Sequence, residues 1–250
     1  MIKFFRRIRQ NLLMEGKTGK YFKYAIGEIV LVVIGILIAL SINNWNENRI
    51  ITAKTNNYLS ALITELDRNI IVLEGRIKHT NGDIELSANS LNLLNIPEAK
   101  YYSDSIIRIL ITTSPIYKYP LFKSTFNDLI NAGVLANVSD MDLKNKILSI
   151  ESLIENCNET TTKAVDVWDN YQLPYMMKNN NVSNNWDAIR KVKIDKPSFI
   201  RKNEAFVQNF DYANILTLRM RMMGNLESQL AHTKEEFIII SDAIKKNLNN

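Results

Sequence analysis

The chain has 250 residues, of which 46% are hydrophobic and 23% are charged, enough for one ordinary domain or two small ones. Its net charge of +5 is uneven: residues 1–24 hold seven Lys or Arg against one Glu (net +6), and residues 25–250 hold 24 against 25 acids (net −1). A nucleic-acid-binding domain carries positive charge on its folded body, so this distribution argues against nucleic acid as a partner. Only one cysteine is present, Cys157, so no intrachain disulfide can form.

The first predicted segment, residues 1–23, is basic, and its first 15 residues have the pattern of an amphipathic helix. One half of the helical wheel holds Ile2, Phe4, Phe5, Ile8, Leu12 and Leu13, and the other holds Lys3, Arg6, Arg7 and Gln10. Such a helix would lie in the plane of an anionic inner leaflet. The alternative is a disordered basic tail.

Residues 24–43 predict a transmembrane helix, because these 20 residues contain a single charge, Glu28. At ~1.5 Å per residue the segment is ~30 Å long, the thickness of the hydrocarbon core. Aromatic residues suited to the two headgroup levels flank it: Tyr21, Phe22, Tyr24 and Trp45. The predicted partner of this segment is therefore the lipid bilayer.

The basic flank predicts the orientation of this helix. The positive-inside rule places residues 1–23 in the cytoplasm and residues 44–250 outside it, as a periplasmic domain held at the bacterial cytoplasmic (inner) membrane. Two alternatives stay open. Ala39-Leu40-Ser41 weakly resembles a signal-peptide cleavage site, and the segment could be a buried helix of a soluble protein.

Four residues of the apolar segment share one narrow helical stripe: Glu28, Val32, Gly35 and Ala39. Small residues four apart with a polar group on the same face favour helix–helix association, so the stripe predicts a homo-oligomer through the membrane helix. The alternative is a tolerated acid near the interface with small residues facing lipid.

Period-3.6 patterns dominate the remainder. Leu59, Leu62, Leu66, Ile70, Leu73 and Ile77 predict a helix from about residue 46, ending at Asn81-Gly82 or continuing to Leu94. Short helices are predicted at 103–113 and 125–132, the second capped by Ser124 and ended by Gly133. The segment between them, residues 114–123, contains two prolines and is predicted to be irregular.

Ser139 with Asp142 predicts the start of a long helix, ended or kinked at Pro174 before an exposed Asn-rich loop. Its apolar face comprises Leu143, Ile147, Ile150, Ile154, Cys157, Ala164, Val165, Trp168 and Tyr171. Cys157 is interpreted as a small hydrophobe. Residues 184–202 give no clear pattern.

The last predicted helix spans about 210–246, with a stripe of Leu218, Met222, Leu226, Leu230, Phe237, Ile240 and Ile244. Three long amphipathic helices cannot each bury a stripe alone. The predicted fold is therefore all-α: one N-terminal transmembrane helix followed by an elongated antiparallel helical bundle with coiled-coil character, the short helices and Pro-rich segment lying at one end.

Two stretches resemble a known family. The N-terminus, MIKFFRRIRQNLL followed by GKTGKYFKYAIGEIVLVVIGILIALSINNWNENR, is similar to a family of uncharacterised proteins, with a domain of unknown function, of Bacteroidetes-type bacteria. The block STFNDLINAGVLANVSDMDLKNKI resembles its second region, with Phe126, Leu129, Gly133, Leu135 and Leu143 on its pattern. The resemblance implies a membrane-anchored helical protein and supplies no catalytic residues.

No pattern indicates catalysis, a metal or a cofactor, so a non-enzymatic protein is expected. His79 and His232 are the only histidines and lack ligand spacing. The carboxylates Glu65/Asp67 and Glu151/Glu155 are interpreted as solvated helix faces. The block 124–147 resembles a helix-turn-helix, but Asp140 and Asp142 would meet phosphate with unfavourable charge.

An aromatic cluster flanks the Pro-rich segment, comprising Tyr101, Tyr102, Tyr117, Tyr119 and Phe122. These side chains predict a ligand or partner surface. The alternative is aromatic packing that closes the bundle tip. The expected function is an extracytoplasmic interaction or sensing module for an unknown envelope protein or ligand, and the alternative is a structural or assembly factor for a cell-envelope complex.

Overall fold

The computed structural model describes Met14, residues 18–94, Ile116, and residues 118–180 and 205–249. The predictions for the N-terminal amphipathic helix, the helix at 103–113 and residues 184–202 lie outside these ranges. Every regular element in the described part is helical, which confirms the all-α fold class.

The elements in chain order are the helix α1 (Thr18–Leu94), the helix α2 (Ser124–Asn131) and a 3-10 turn (Val134–Asn137). The long helix α3 (Met141–Val167) follows and passes through a π-helical turn (Trp168–Gln172) into α4 (Leu173–Asn179). The last helix is α5 (Phe210–Leu248). The chain divides into two compact units, Met1–Asn56 and Asn57–Asn250, and α1 contributes residues to both.

The first unit contains the predicted membrane segment as a regular part of α1. From Phe22 the helix carries a window of mean hydropathy 2.8, none of it buried. Among the described residues, one helix is long and apolar enough to cross a membrane. The core helix of a soluble protein is mostly buried, whereas no residue of this window is buried, which favours the membrane segment over that alternative.

In the second unit, α1 continues through Asn81-Gly82 to Leu94. Of the two predicted ends of this helix, Leu94 is therefore confirmed. Apart from Glu65, its buried positions alternate in steps of three and four: Leu59, Leu62, Leu66, Asn69, Leu73, Arg76, Thr80, Asp83, Ser87, Ser90 and Leu94. The predicted apolar positions Ile70 and Ile77 are only partly buried, and the polar residues beside them, Asn69 and Arg76, take the buried places.

The helix α5 has the same repeat. Apart from Ser241, its buried positions are Tyr212, Leu216, Arg219, Met223, Leu226, Leu230, Thr233, Phe237, Ile240 and Ile244. The predicted core residues Leu218 and Met222 are half-buried, one position away from the buried Arg219 and Met223. Buried positions that average 3.5 residues apart are typical of long helices packed side by side.

Contacts between side chains give the helix directions in the second unit. Asp83 and Glu74 of α1 contact Arg219 and Lys234 of α5, so these helices are antiparallel. Cys157 contacts Thr233 and Gln172, just beyond α3, contacts Arg219, so α3 and α5 are also antiparallel. The helices α1 and α3 run in the same direction, since Arg76 contacts Thr161 while Asp83 and Gln172 meet at one arginine.

The start of α3 lies one residue from its predicted place. Asp140, not Ser139, is the N-cap, and its carboxylate accepts hydrogen bonds from the backbone N–H groups of Asp142 (2.9 Å) and Leu143 (3.2 Å). Asp and Ser are comparable caps, so local sequence does not distinguish them.

The end of α3 departs further from its prediction. The π turn inserts one extra residue, so Gln172 rather than the predicted Tyr171 enters the core. Pro174 lies in the first turn of α4, where its missing N–H costs least. The predicted loop after Pro174 is therefore helical as far as Asn179, and Met176 is buried.

Candidate functional site

A segment without regular secondary structure, which carries two exposed aromatic side chains, lies against α1. We call residues 118–123 the aromatic segment; in it Tyr119 is 52% exposed and Phe122 is 40% exposed. Between them Leu121 is buried and packs in the core. The segment lies along the side of α1, where Glu65, Asn69 and Arg76 contact it or the residues directly after it.

Buried polar side chains of α1 hold the backbone of this segment. The Asn69 side chain donates to the Phe122 carbonyl (2.7 Å) and accepts from the Phe122 N–H (2.7 Å). The Arg76 guanidinium donates to the Tyr119 carbonyl (3.2 Å). Asn69 thus satisfies both backbone groups of Phe122, and the aromatic side chains project from a backbone that these hydrogen bonds fix.

Glu65 fixes the point where the segment turns into α2. Its buried carboxylate accepts from the backbone N–H groups of Thr125 (2.7 Å) and Phe126 (3.0 Å) and from the Ser124 hydroxyl (3.0 Å). The predicted solvated face is therefore wrong for Glu65, whereas Asp67 is exposed. The predicted cap by Ser124 is also wrong, because Ser124 lies inside the helix and the capping carboxylate comes from α1. Gly133 ends this region in the left-handed conformation (φ +64°), as predicted.

Arg68 completes the exposed surface. Its guanidinium lies over the Phe122 ring, 4.2 Å from the centroid, and its side chain is exposed. Of the residues predicted for a partner surface, the structure brings together Tyr119 and Phe122 and adds Arg68. Tyr101, Tyr102 and Tyr117 lie outside the described residues. Arg68 lies three residues after Glu65 and directly before Asn69 on α1, and no sequence signal marks it until the aromatic segment is known to lie against that part of the helix.

A second polar feature is the buried ion pair between α1 and α5. Arg219 is fully buried and donates to the Asp83 carboxylate (3.2 Å) and the Gln172 side-chain carbonyl (3.0 Å). Burial lowers the pKa of the Arg219 guanidinium, and the neighbouring Asp83 opposes that shift. Arg219 thus joins α5 to α1 and to the π turn after α3. The sequence analysis missed it because an arginine was not expected on the apolar face of α5.

The next layer of the core centres on Arg76, which also donates to the Thr161 hydroxyl (2.6 Å). Thr161 in turn donates to the Cys157 carbonyl (2.5 Å), and the Cys157 thiol donates to Thr233 (3.1 Å). Burial raises the pKa of the Cys157 thiol, although its hydrogen bond to Thr233 acts in the opposite direction. The buried thiol is therefore held protonated, in agreement with its interpretation as a small core residue.

Beside the exposed segment lies a small cavity of ≈ 30 Å³. Its lining comprises Arg76, His79, Thr80, Asp83, Ile116, Tyr119, Met223 and Leu226. His79 stands at its exposed rim, with its Nδ1 3.9 Å from the Asp83 carboxylate. Within the described ranges, no three His, Cys, Asp or Glu side chains are grouped so as to hold a metal ion.

An aromatic cluster lies near the end of this core. Tyr175, Phe206 and Tyr212 are in ring contact, and the Tyr175 hydroxyl donates to the Ala205 carbonyl (2.6 Å). Burial raises the pKa of Tyr212 well above its ordinary range. The sequence predicts an exposed loop after Pro174, and only the helical continuation through α4 brings Tyr175 inward.

The four residues of the predicted association stripe lie on α1 in the first unit. Val32, Gly35 and Ala39 are exposed and Glu28 is partly buried. The stripe thus keeps the helical spacing on which the prediction rested, and self-association through it stays a prediction.

Residues 28–171 match the model of a family described as "Family of unknown function (DUF6090)". The match covers more than half of the chain. The protein belongs to the DUF6090 family. This confirms the expected resemblance to an uncharacterised family, and the matched range contains the membrane segment from Glu28, the aromatic segment and α3. Comparisons with curated proteins and with solved structures found no match.

Proposed function

We propose that this DUF6090 protein is a single-pass membrane protein that holds a helical interaction or sensing module at the outer face of the bacterial cytoplasmic membrane. The exposed apolar part of α1 supports the anchor. The basic residues before it favour a cytoplasmic N-terminus and a periplasmic location for residues 44–250. The module binds rather than catalyses, and its partner is an envelope protein.

The observation that carries this proposal is the fixed aromatic segment. Tyr119 and Phe122 are exposed while Asn69 and Arg76 hold their backbone from inside. Exposed aromatic residues beside an arginine are typical of binding hot spots, and a preorganised backbone lowers the entropy cost of association. Arg68 over Phe122 provides such a surface.

The partner surface is tested by placing a photo-crosslinking amino acid at Phe122 in the full-length protein in cells. One discrete protein adduct is expected. The matched control is Tyr171, an exposed aromatic residue of the same unit. The proposal fails if positions 122 and 171 give the same adducts or if position 122 gives none. A partner that copurifies in a fixed ratio without crosslinking would instead favour an assembly factor for an envelope complex.

The orientation is tested by external protease treatment of spheroplasts that express the protein with a C-terminal tag. The tag of a full-length, membrane-bound protein should be lost. A protected tag would contradict the periplasmic location. A soluble band shorter by the N-terminal segment would show cleavage and contradict the anchor.

A further inference from the structure

The exposed aromatic residues lie between two helices. We use the name aromatic face for the surface formed by Tyr119 and Phe122, which are 52% and 40% exposed, together with the helix edges beside them. On one side lies α1, whose Arg68 guanidinium lies over the Phe122 ring. On the other side lies α3, because Lys123, directly after Phe122, reaches the Glu151 carboxylate of α3 (3.9 Å). The aromatic face therefore has an α1 edge and an α3 edge.

The two edges of the aromatic face carry opposite charges. On α3, Glu155 follows Glu151 by one helical turn and is exposed, so both carboxylates lie on the same side of that helix. Leu148, one turn before Glu151 on this side, is 48% exposed and extends the apolar part of the face. On α1, the exposed Arg68 provides the charge of the opposite edge. The α3 edge is thus acidic and the α1 edge is basic.

Arg68 lies level with the two glutamates along the helix axes. The helices α1 and α3 run in the same direction, and Arg76 of α1 contacts Thr161 of α3 (2.6 Å). Both helices rise by ~1.5 Å per residue. Because Arg68 lies eight residues before Arg76, it is level with the residue eight before Thr161, which is Leu153. Leu153 lies midway between the two glutamates, so the opposite charges flank the aromatic residues at one level.

We propose that the aromatic face binds a second copy of this chain, in a two-fold symmetric dimer whose axis runs along the helices. This rotation exchanges the two edges and keeps their level, so Arg68 of each copy meets Glu151 and Glu155 of the other. The Tyr119 and Phe122 side chains of the two copies meet near the axis. A surface that binds its own copy must be self-complementary, and this one is so in charge and in level. The inference rests on the proposed function and names the partner. The helix α1 has the same direction in both copies, as two chains anchored in one membrane require.

The test places a photo-crosslinking amino acid at Tyr119 of the full-length protein in cells, which leaves Arg68 and Phe122 in place. An adduct that contains two copies of this chain and no other protein is expected. Arg68→Glu should lower its yield on the order of tenfold, because each contact then brings like charges together. Glu155→Arg should lower it less, because Glu151 remains. When these two variants are expressed together with different tags, the mixed adduct should recover most of the yield, since opposite charges meet again.

The matched control is Arg221→Glu, the same charge reversal at an exposed arginine of α5, and it should leave the yield unchanged. If Arg68→Glu gives the same yield as this control, or if mixing the two variants recovers nothing, the symmetric dimer is wrong. An adduct with a different protein would also overturn the dimer, but it would leave the proposed binding function standing. The absence of any adduct at this position would contradict both.

Discussion

Glu65 shows how a single residue changes role when a distant segment folds against it. A glutamate in an amphipathic helix is expected to face water, and its neighbour Asp67 does. Glu65 instead lies at the N-terminus of α2, where unpaired backbone N–H groups and the helix dipole favour a carboxylate. The residue is therefore a helix cap supplied from another helix.

Glu65→Gln should lower the free energy of unfolding by about 1–2 kcal/mol, because the neutral amide keeps part of the geometry and loses the charge. Chemical denaturation of the full-length protein in detergent micelles measures the change. Asp67→Asn, at the exposed neighbour, should change it by less than about 0.5 kcal/mol. Equal effects of the two substitutions would contradict the capping role.

Tyr212 gives a pH dependence at the same scale. Its raised pKa means that the folded state keeps the phenol proton where the unfolded state, titrating near pH ~10, releases it. Its stabilising contribution is thus complete below pH ~10 and decreases above it, by about 1.4 kcal/mol per pH unit. In Tyr212→Phe, the free energy of unfolding should therefore decrease less steeply above pH ~10 than in the unchanged protein. Tyr171→Phe, at an exposed tyrosine, should leave the slope unchanged.

At the scale of the helices, the pattern of burial identifies the contacts that set their register. The positions chosen by period 3.6 and those that are buried agree at Leu59, Leu66 and Leu73, then differ where Asn69 and Arg76 replace their apolar neighbours. Each polar residue in these places has a partner on another element. Buried polar residues find their hydrogen-bond partners in only one register of the helices, so they specify that register. Leucine side chains alone can pack when one helix slides along another.

The Arg219–Asp83 pair is the strongest case. Arg219→Met should cost about 3–5 kcal/mol, because it leaves Asp83 buried without its cation. The double substitution Asp83→Leu with Arg219→Met should recover much of that loss, because neither charge is then buried alone. Denaturation of the full-length variants gives the comparison, with Arg221→Met at an exposed neighbour as the control. If the double variant is no more stable than Arg219→Met alone, the loss does not come from leaving Asp83 buried without its cation.

At the scale of the whole molecule, one helix supplies both the apolar segment of the first unit and a core helix of the second. Large exposed apolar side chains follow one another from Ile26 to Ile42, and such a surface is stable in lipid or against other apolar helices. The lipid-bilayer environment proposed for α1 follows from this exposure and from the segment's length.

Ile34→Arg combined with Ile38→Arg should release a large part of the full-length protein from membranes, since each central arginine costs about 2.5–3.5 kcal/mol of insertion. Resistance to alkaline extraction measures the membrane-bound fraction. Ile71→Arg, at an exposed isoleucine of the second unit, is the control and should stay membrane-bound. Full retention of the double variant would contradict a membrane role for this segment.

The sequence by itself determined the properties that depend on neighbours along the chain. The apolar length of α1, the span of α5 and the left-handed Gly133 follow from hydropathy, periodicity and backbone sterics. Tertiary structure decided the properties that depend on partners far along the chain: the capping role of Glu65, the buried charge of Arg219 and the inward face at Gln172. The physical reason is that burying a polar group is favourable only when a partner satisfies it, and that partner lies 47 to 136 residues away.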